Sequence, residues 1–342
     1  MMKKVLQKRD LVKLFDTMKA AGKLYGLASE DGRYLFKEVN DLLEPGCDYW
    51  QTILPPKKYF LPQIETLLSY RKDGWDANQP AFDRTKFVVW GIRPCDIHAV
   101  NLLDRIFEAD NPDSHYLTRR KNAMIVGFTC QTPCDERAFC ADIGTLDVKT
   151  GFDFLLTDIG DRYLVMVGTE AAEKIEQKLP AFADAAPADE KKLGDVAAAR
   201  VKAFAKRLKT AVEELPLLFK GSANNPLWEA EGKRCLGCGS CNLVCPTCYC
   251  FDVQDKNEVN LAGGERVRKW DGCMLKDFTR VAGGEVFRHS KAGRLKHRWH
   301  RKFDYLMTKW GQSNCVGCGR CGRACLVNIN PIDIVNGLAG KS

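Results

Sequence analysis

No run of eighteen apolar residues occurs anywhere in the 342-residue sequence, which argues against a membrane-spanning helix. The start, MMKKVLQKRDLVKLF, is amphipathic and lacks the continuous apolar stretch and small-residue cleavage site of a secretory signal. The expectation is a cytoplasmic protein with no membrane span. Also missing are a G-x-G-x-x-G fingerprint between a strand and a helix, a G-x4-G-K-S/T phosphate loop and a G-x-S-x-G elbow. The familiar sites for nicotinamide, flavin, ATP and acyl transfer are therefore not expected. Histidine is scarce, at five residues. None of His98, His115, His289, His297 and His300 is metal-spaced with a cysteine, and His297 and His300 sit among arginines and lysines as a solvated face would. No ligand role is assigned to them.

Cysteine is abundant instead, at sixteen residues. In a small secreted domain that count would mean disulfides, but this chain is large, carries no export signal and gathers its thiols in tight CxxC steps. Metal ligation is the stronger reading. The formal charge is +8, with RHSKAGRLKHRWHRK (288 to 302) as the densest basic patch. Taken alone, it could describe a nucleic-acid binder. Cubane clusters held by four thiolates carry about −2 each when oxidised, so three of them would offset most of the excess. Internal compensation then accounts for the basic residues as well as an acidic partner does, and no nucleic-acid partner is expected.

With 45% of residues hydrophobic, two domains can be packed. Residues 1–180 alternate short β-branched runs with helical patterns, which predicts an α/β or α+β domain around a central sheet. Within it, KFVVWGIRPCDIHAV (86–100) reads as strand, loop and helix start, NAMIVGFTCQTPC (122–134) as strand and loop, and FDFLLTDIGDRYLVMVG (152–168) as two strands about a tight turn. Residues 181–228 read as a connecting helix running to about Phe219, with KGSANNPLW (220–228) as the linker proper. Residues 229–342 hold eleven of the sixteen cysteines and form the second domain.

In RCLGCGSCNLVCPTCYC (234–250), Cys235, Cys238, Cys241 and Cys245 make C-x2-C-x2-C-x3-C followed by Pro246. Cys315, Cys318, Cys321 and Cys325 repeat the spacing with Leu326 in place of proline. This is the bacterial ferredoxin pattern for [4Fe–4S] clusters, in which the fourth cysteine of each row serves the other cluster. The expected sets are Cys235, Cys238, Cys241 and Cys325 for cluster one, and Cys315, Cys318, Cys321 and Cys245 for cluster two. Gly237, Gly239, Gly317 and Gly319 let the backbone approach. Structural zinc sites are the competing reading, yet four cysteines within eleven residues suit one tetrahedral ion poorly. The domain is thus a two-cluster ferredoxin-like α+β unit whose halves are parted by an insert, residues 246–314. The insert holds Cys248, Cys250 and Cys273, which either join a further cluster or form sulfur-rich packing around cluster two. Cys47 reads as structural or simply free.

If the strands ending before Cys95 and Cys130 are parallel neighbours, both thiols emerge at one carboxyl edge of the sheet, with Cys134 and Cys140 close behind. Those four would make a third [4Fe–4S] site. Buried free cysteines are the plain alternative, most of all for Cys134.

The segments CPTCYCFDV, RVRKWDGCM, FTRVAGGEVFRHS and CVGCGRC, with GIRPCDIHAV upstream, resemble the iron–sulfur β subunits of cytoplasmic sulfhydrogenases and NAD(P)-linked nickel–iron hydrogenases. These are in turn similar to the 4Fe–4S dicluster protein of anaerobic sulfite reductase. The resemblance covers about residues 85–340, and Cys134 departs from the family's placement. It implies an electron-transfer subunit, itself without catalysis, between a flavin subunit that handles NAD(P)H and a terminal redox subunit of hydrogenase, sulfite reductase or heterodisulfide reductase type.

Overall fold

The computed structural model describes residues 2–42, 51–72, 79–204 and 207–340; Cys47 lies outside them. Among the described residues the chain forms twelve strands. The first five are β1 (Met2–Gln7), β2 (Lys23–Glu30), β3 (Arg33–Glu38), β4 (Ile64–Arg71) and β5 (Gln79–Pro80). Then come β6 (Phe87–Ile92), β7 (Ala123–Phe128), β8 (Phe154–Asp158), β9 (Arg162–Val167) and β10 (Phe182–Asp184). The insert adds β11 (Phe251–Asn257) and β12 (Gly263–Trp270).

Eight strands make one sheet in the order β10-β1-β9-β8-β7-β6-β2-β3. Its centre is parallel: β2 with β6, β6 with β7, and β7 with β8. β6 is buried at every position, as a parallel strand covered on both faces must be. Its side chains alternate between two cores. Val88 and Trp90 pack on one side with Leu14, Phe15 and Met18 of the helix Leu11–Ala21. Phe87 and Val89 pack on the other with Ile97, Val100 and Leu103 of the helix Pro94–Glu108. This is the α/β layer arrangement expected from the sequence.

A second sheet, ordered β11-β12-β4-β5, joins strands from residues 64–80 to the hairpin of the insert. Main-chain pairing thus crosses the boundary drawn near residue 229, and β12 is fixed to β4 with Arg268 opposite Glu65. Glu65 accepts from both Arg268 and Arg119, and Arg268 also reaches Asp113. Arg119, Glu65 and Arg268 are all buried. Removing one member of a buried ion network leaves the rest uncompensated, so Glu65→Gln is expected to lower the unfolding free energy by about 3–5 kcal/mol in a denaturant titration. An unchanged transition would detach the hairpin from the stability of the first sheet.

The connection between the halves differs from the expectation. The helix that was to reach Phe219 spans Pro187–Lys202, and the residues read as a linker lie between and within two further helices, Leu215–Gly221 and Leu227–Arg234. Phe219 and Trp228 explain this: both are buried, and the Trp228 indole donates to the Ser222 carbonyl at 2.7 Å. They share a core with Trp299, Phe303, Ile332 and Val335, which carries the C-terminal cysteine rows. No helix among the described residues is long and apolar enough to cross a membrane.

Candidate metal centre

Each ferredoxin-spaced row folds the same way. Gly237 and Gly239 have φ of +71° and +76°, and Gly317 and Gly319 repeat this at +64° and +76°. A one-turn helix follows each pair, Ser240–Leu243 and Arg320–Arg323. The positive φ turns the chain back over its first cysteine, so that the Gly237 amide points at Cys235 Sγ (3.4 Å) and the Gly317 amide at Cys315 Sγ (3.5 Å). Backbone donors already aimed at sulfur are what an anionic thiolate cluster uses for support.

The thiols collect into three neighbouring places. Cys235, Cys238 and Cys241 line a cavity together with Cys325, the last cysteine of the other row, and Cys321 opens onto it too. Cys245, the last of the first row, is buried among the second row: its sulfur acts electrostatically on Cys315, Cys318 and Cys321. In the first sheet β6 and β7 are parallel neighbours, and Cys95 and Cys130 follow their ends. Those two thiols line a third cavity with Cys134, Cys140 and also Cys318. Arg93 ties the two strand ends by donating to the Thr129 carbonyl at 2.9 Å.

The second and third places are bound tightly to each other. Phe139 donates to the Gly317 carbonyl (2.7 Å) and the Thr145 hydroxyl to that of Val316 (2.7 Å). Arg320, next to Cys321, pairs with both oxygens of Asp96, next to Cys95, at 2.5 and 2.7 Å. A Cβ on Gly317 would lie 2.6 Å from the Cys140 nitrogen. Gly317→Ala therefore has to part the two loops and strain its own backbone, at about 1–3 kcal/mol. The expected outcome is a less stable protein carrying up to about four fewer irons, read by unfolding and metal analysis. Full iron content at unchanged stability would contradict the fit.

Burial works against free thiolates here. It pushes Cys241, Cys318 and Cys134 up to about 12, with Arg298 and Arg320 opposing it at the first two. Without a metal these sulfurs keep their protons, and ligation has to displace them. The donor set fits a polynuclear anion because, among the described residues, three cations are buried beside it without a carboxylate partner. Arg298 is 2% exposed; it donates to the Cys241 carbonyl (3.1 Å) and acts on the Cys321 sulfur, and among the described residues no oxygen or nitrogen accepts from its Nε or Nη1. Lys302, 3% exposed, donates to the Thr247 hydroxyl at 2.7 Å. Burial acts to lower the Lys302 ammonium, but the Cys245 and Cys248 sulfurs outweigh it and raise it. Lys57, from the first half of the chain, is 2% exposed and faces the same sulfurs. Among the described residues no three His, Cys, Asp or Glu side chains are gathered as ligands of a single metal ion.

Part of the basic patch is turned inward: Arg294, Arg298, His300 and Lys302 are buried, while Arg288, Lys291, Lys296 and Arg301 stay partly exposed. His300, expected at the surface, bonds Asp304 at 3.1 Å instead. Sequence reading missed Lys57 and Asp96 altogether, since nothing in their own segments marks them. Cys248 lies beside Cys245 and Cys273 near Cys241, and with Cys250 they fall outside all three sets.

Comparison with known proteins agrees with the cysteine pattern. Residues 234–329 match the model of a 4Fe–4S dicluster domain. The chain is 35% identical over 323 residues to sulfhydrogenase 2 subunit beta of Pyrococcus furiosus, with 94% of each chain covered. No solved structure matches it.

Proposed function

As the chain belongs to the iron–sulfur beta-subunit family of sulfhydrogenases, we propose that it is the electron-transfer subunit of a hetero-oligomeric redox complex. In this reading Cys235, Cys238, Cys241 and Cys325 hold one [4Fe–4S] cluster and Cys315, Cys318, Cys321 and Cys245 a second. Cys95, Cys130, Cys134 and Cys140 hold a third. Bound there, the clusters supply one-electron redox chemistry.

The chain's own part is placement and charge. The second row stands between the other two places, because Cys321 opens onto the first cavity and Cys318 onto the third. The Asp96–Arg320 pair and the Phe139–Gly317 bond hold that spacing. Lys57, Arg298 and Lys302 supply positive charge where reduction adds negative charge, which favours the reduced state. Cys238 alone among the row cysteines is exposed, so the first site is the one nearest to a partner.

The observation that carries this reading is that three buried cations, Lys57, Arg298 and Lys302, face sulfur and, among the described residues, pair with no carboxylate. NAD(P)H gives up two electrons as hydride, so a flavin partner is needed to divide them, and the terminal partner is a hydrogenase, sulfite reductase or heterodisulfide reductase type of subunit. The chain alone, mixed anaerobically with NADH or NADPH and a viologen dye, is expected to show no turnover; adding a flavin-containing NAD(P)H oxidoreductase subunit is expected to bleach its visible absorption. Turnover by the isolated chain would contradict the proposal.

A further inference from the structure

Among the described residues three thiols belong to none of these sets, and the fold brings them together. Cys250 directly precedes β11 and Cys273 lies just past β12; the hairpin register sets Phe251 opposite Trp270, and the Asp271 amide donates to the Cys250 carbonyl at 3.0 Å. Cys248 joins them through Asn242, a side chain only 4% exposed. Its Nδ2 stands 3.6 Å from Cys248 Sγ and 3.6 Å from Cys273 Sγ, while its Oδ1 accepts from the Met274 amide at 3.1 Å. That bond orients the amide, so its donor end faces sulfur. Burial, and after it the Cys273 sulfur, pushes the Cys250 thiol up to about 11.

A buried cation points at the same place. Lys57 donates to the Cys248 carbonyl at 2.6 Å and lies 4.0 Å from the centre of the Trp270 ring. Burial holds its ammonium down to about 8, and the sulfurs of Cys248, Cys245 and Cys250 oppose that. A lysine this deeply buried is costly unless an anion sits opposite, and iron-ligating thiolates beside it would supply one.

We propose that Cys248, Cys250 and Cys273 hold a further [4Fe–4S] cluster beside the second row, through three thiolates, leaving one iron without a cysteine from this set. An iron so placed is the one lost on mild oxidation. Ferricyanide takes one electron and a ferrous ion departs, so that [4Fe–4S]2+ gives [3Fe–4S]+, Fe2+ and an electron, which reduces ferricyanide to ferrocyanide.

The proposal adds to the three-cluster reading, and iron counting separates the two. Wild-type protein and the Cys248→Ser/Cys250→Ser/Cys273→Ser variant are purified without oxygen and compared for iron, sulfide and zinc. Wild type is expected to hold about sixteen irons per chain and the variant about twelve. Ferricyanide should generate the paramagnetic three-iron species at one per chain in wild type and none in the variant. About twelve irons in both chains would overturn this site and leave the other three standing. A wild-type total near twelve falling to about eight would support this site while removing one of the three. One zinc present in wild type and lost in the variant would also overturn the proposal. Should the triple variant fail to fold, Cys250→Ser, at a half-buried thiol, takes its place: an unchanged iron count and ferricyanide response would then count against the site.

Discussion

Cys321→Ser is expected to remove about four irons per chain and to stop electron transfer between the ends of the molecule. Cys321 belongs to the middle of the three thiol sets and also opens onto the first cavity, as Cys318 of the same set opens onto the third, so it touches two of the three places on the route. Its loss acts on stability too. Arg298 and Lys302 remain buried when the anion they face is gone, and breaking a buried charge pair from one side costs about 3–5 kcal/mol. The variant should therefore unfold well before the parent in a thermal scan, and metal analysis should show the iron deficit. Retention of all iron with unaltered dye reduction would mean that Cys321 is not a ligand.

The second large effect concerns potential and leaves composition alone. Arg298→Leu removes one full positive charge from a fully buried position against Cys241, Cys321, Cys248 and Cys245. At an effective dielectric near 20 and a separation of roughly 7 Å, a unit charge contributes ~2.4 kcal/mol, or roughly 100 mV for a single electron. Reduction adds negative charge, so losing the guanidinium makes it harder, and the midpoint potentials of the first and second sites should fall by roughly that amount. Arg298→Lys should restore most of the shift. A redox titration followed by electron paramagnetic resonance measures this directly, and potentials that do not move in the leucine variant would show that Arg298 is not coupled to the clusters.

Much of the site was legible in the cysteines, because ferredoxin spacing is set by the shape of a cubane and survives in sequence as a pattern. The strands before Cys95 and Cys130 were legible for a different reason: six apolar residues in succession, ended by a loop, describe a parallel strand buried on both faces, and parallel neighbours deliver both ends to one edge. The basic stretch was only partly legible for lack of tertiary information. Along the helix Lys291–His300, Arg294 and Arg298 are one turn apart and face inward, but a one-dimensional count of charge cannot tell a face that meets sulfur from one that meets water. Lys57 and Asp96 were hidden because their partners lie 191 and 224 residues away. The supposed linker failed on aromatic content: Phe219 and Trp228 bury too much surface to leave the chain between them extended.

The central claim is that the two ferredoxin-spaced rows hold cubanes of iron and sulfide. Iron, acid-labile sulfide and zinc, measured on protein purified without oxygen, test it most directly. The account predicts equal iron and sulfide, at least about eight of each per chain from the rows alone, with zinc absent. A folded, colourless chain with one or two zinc ions and no sulfide would contradict it.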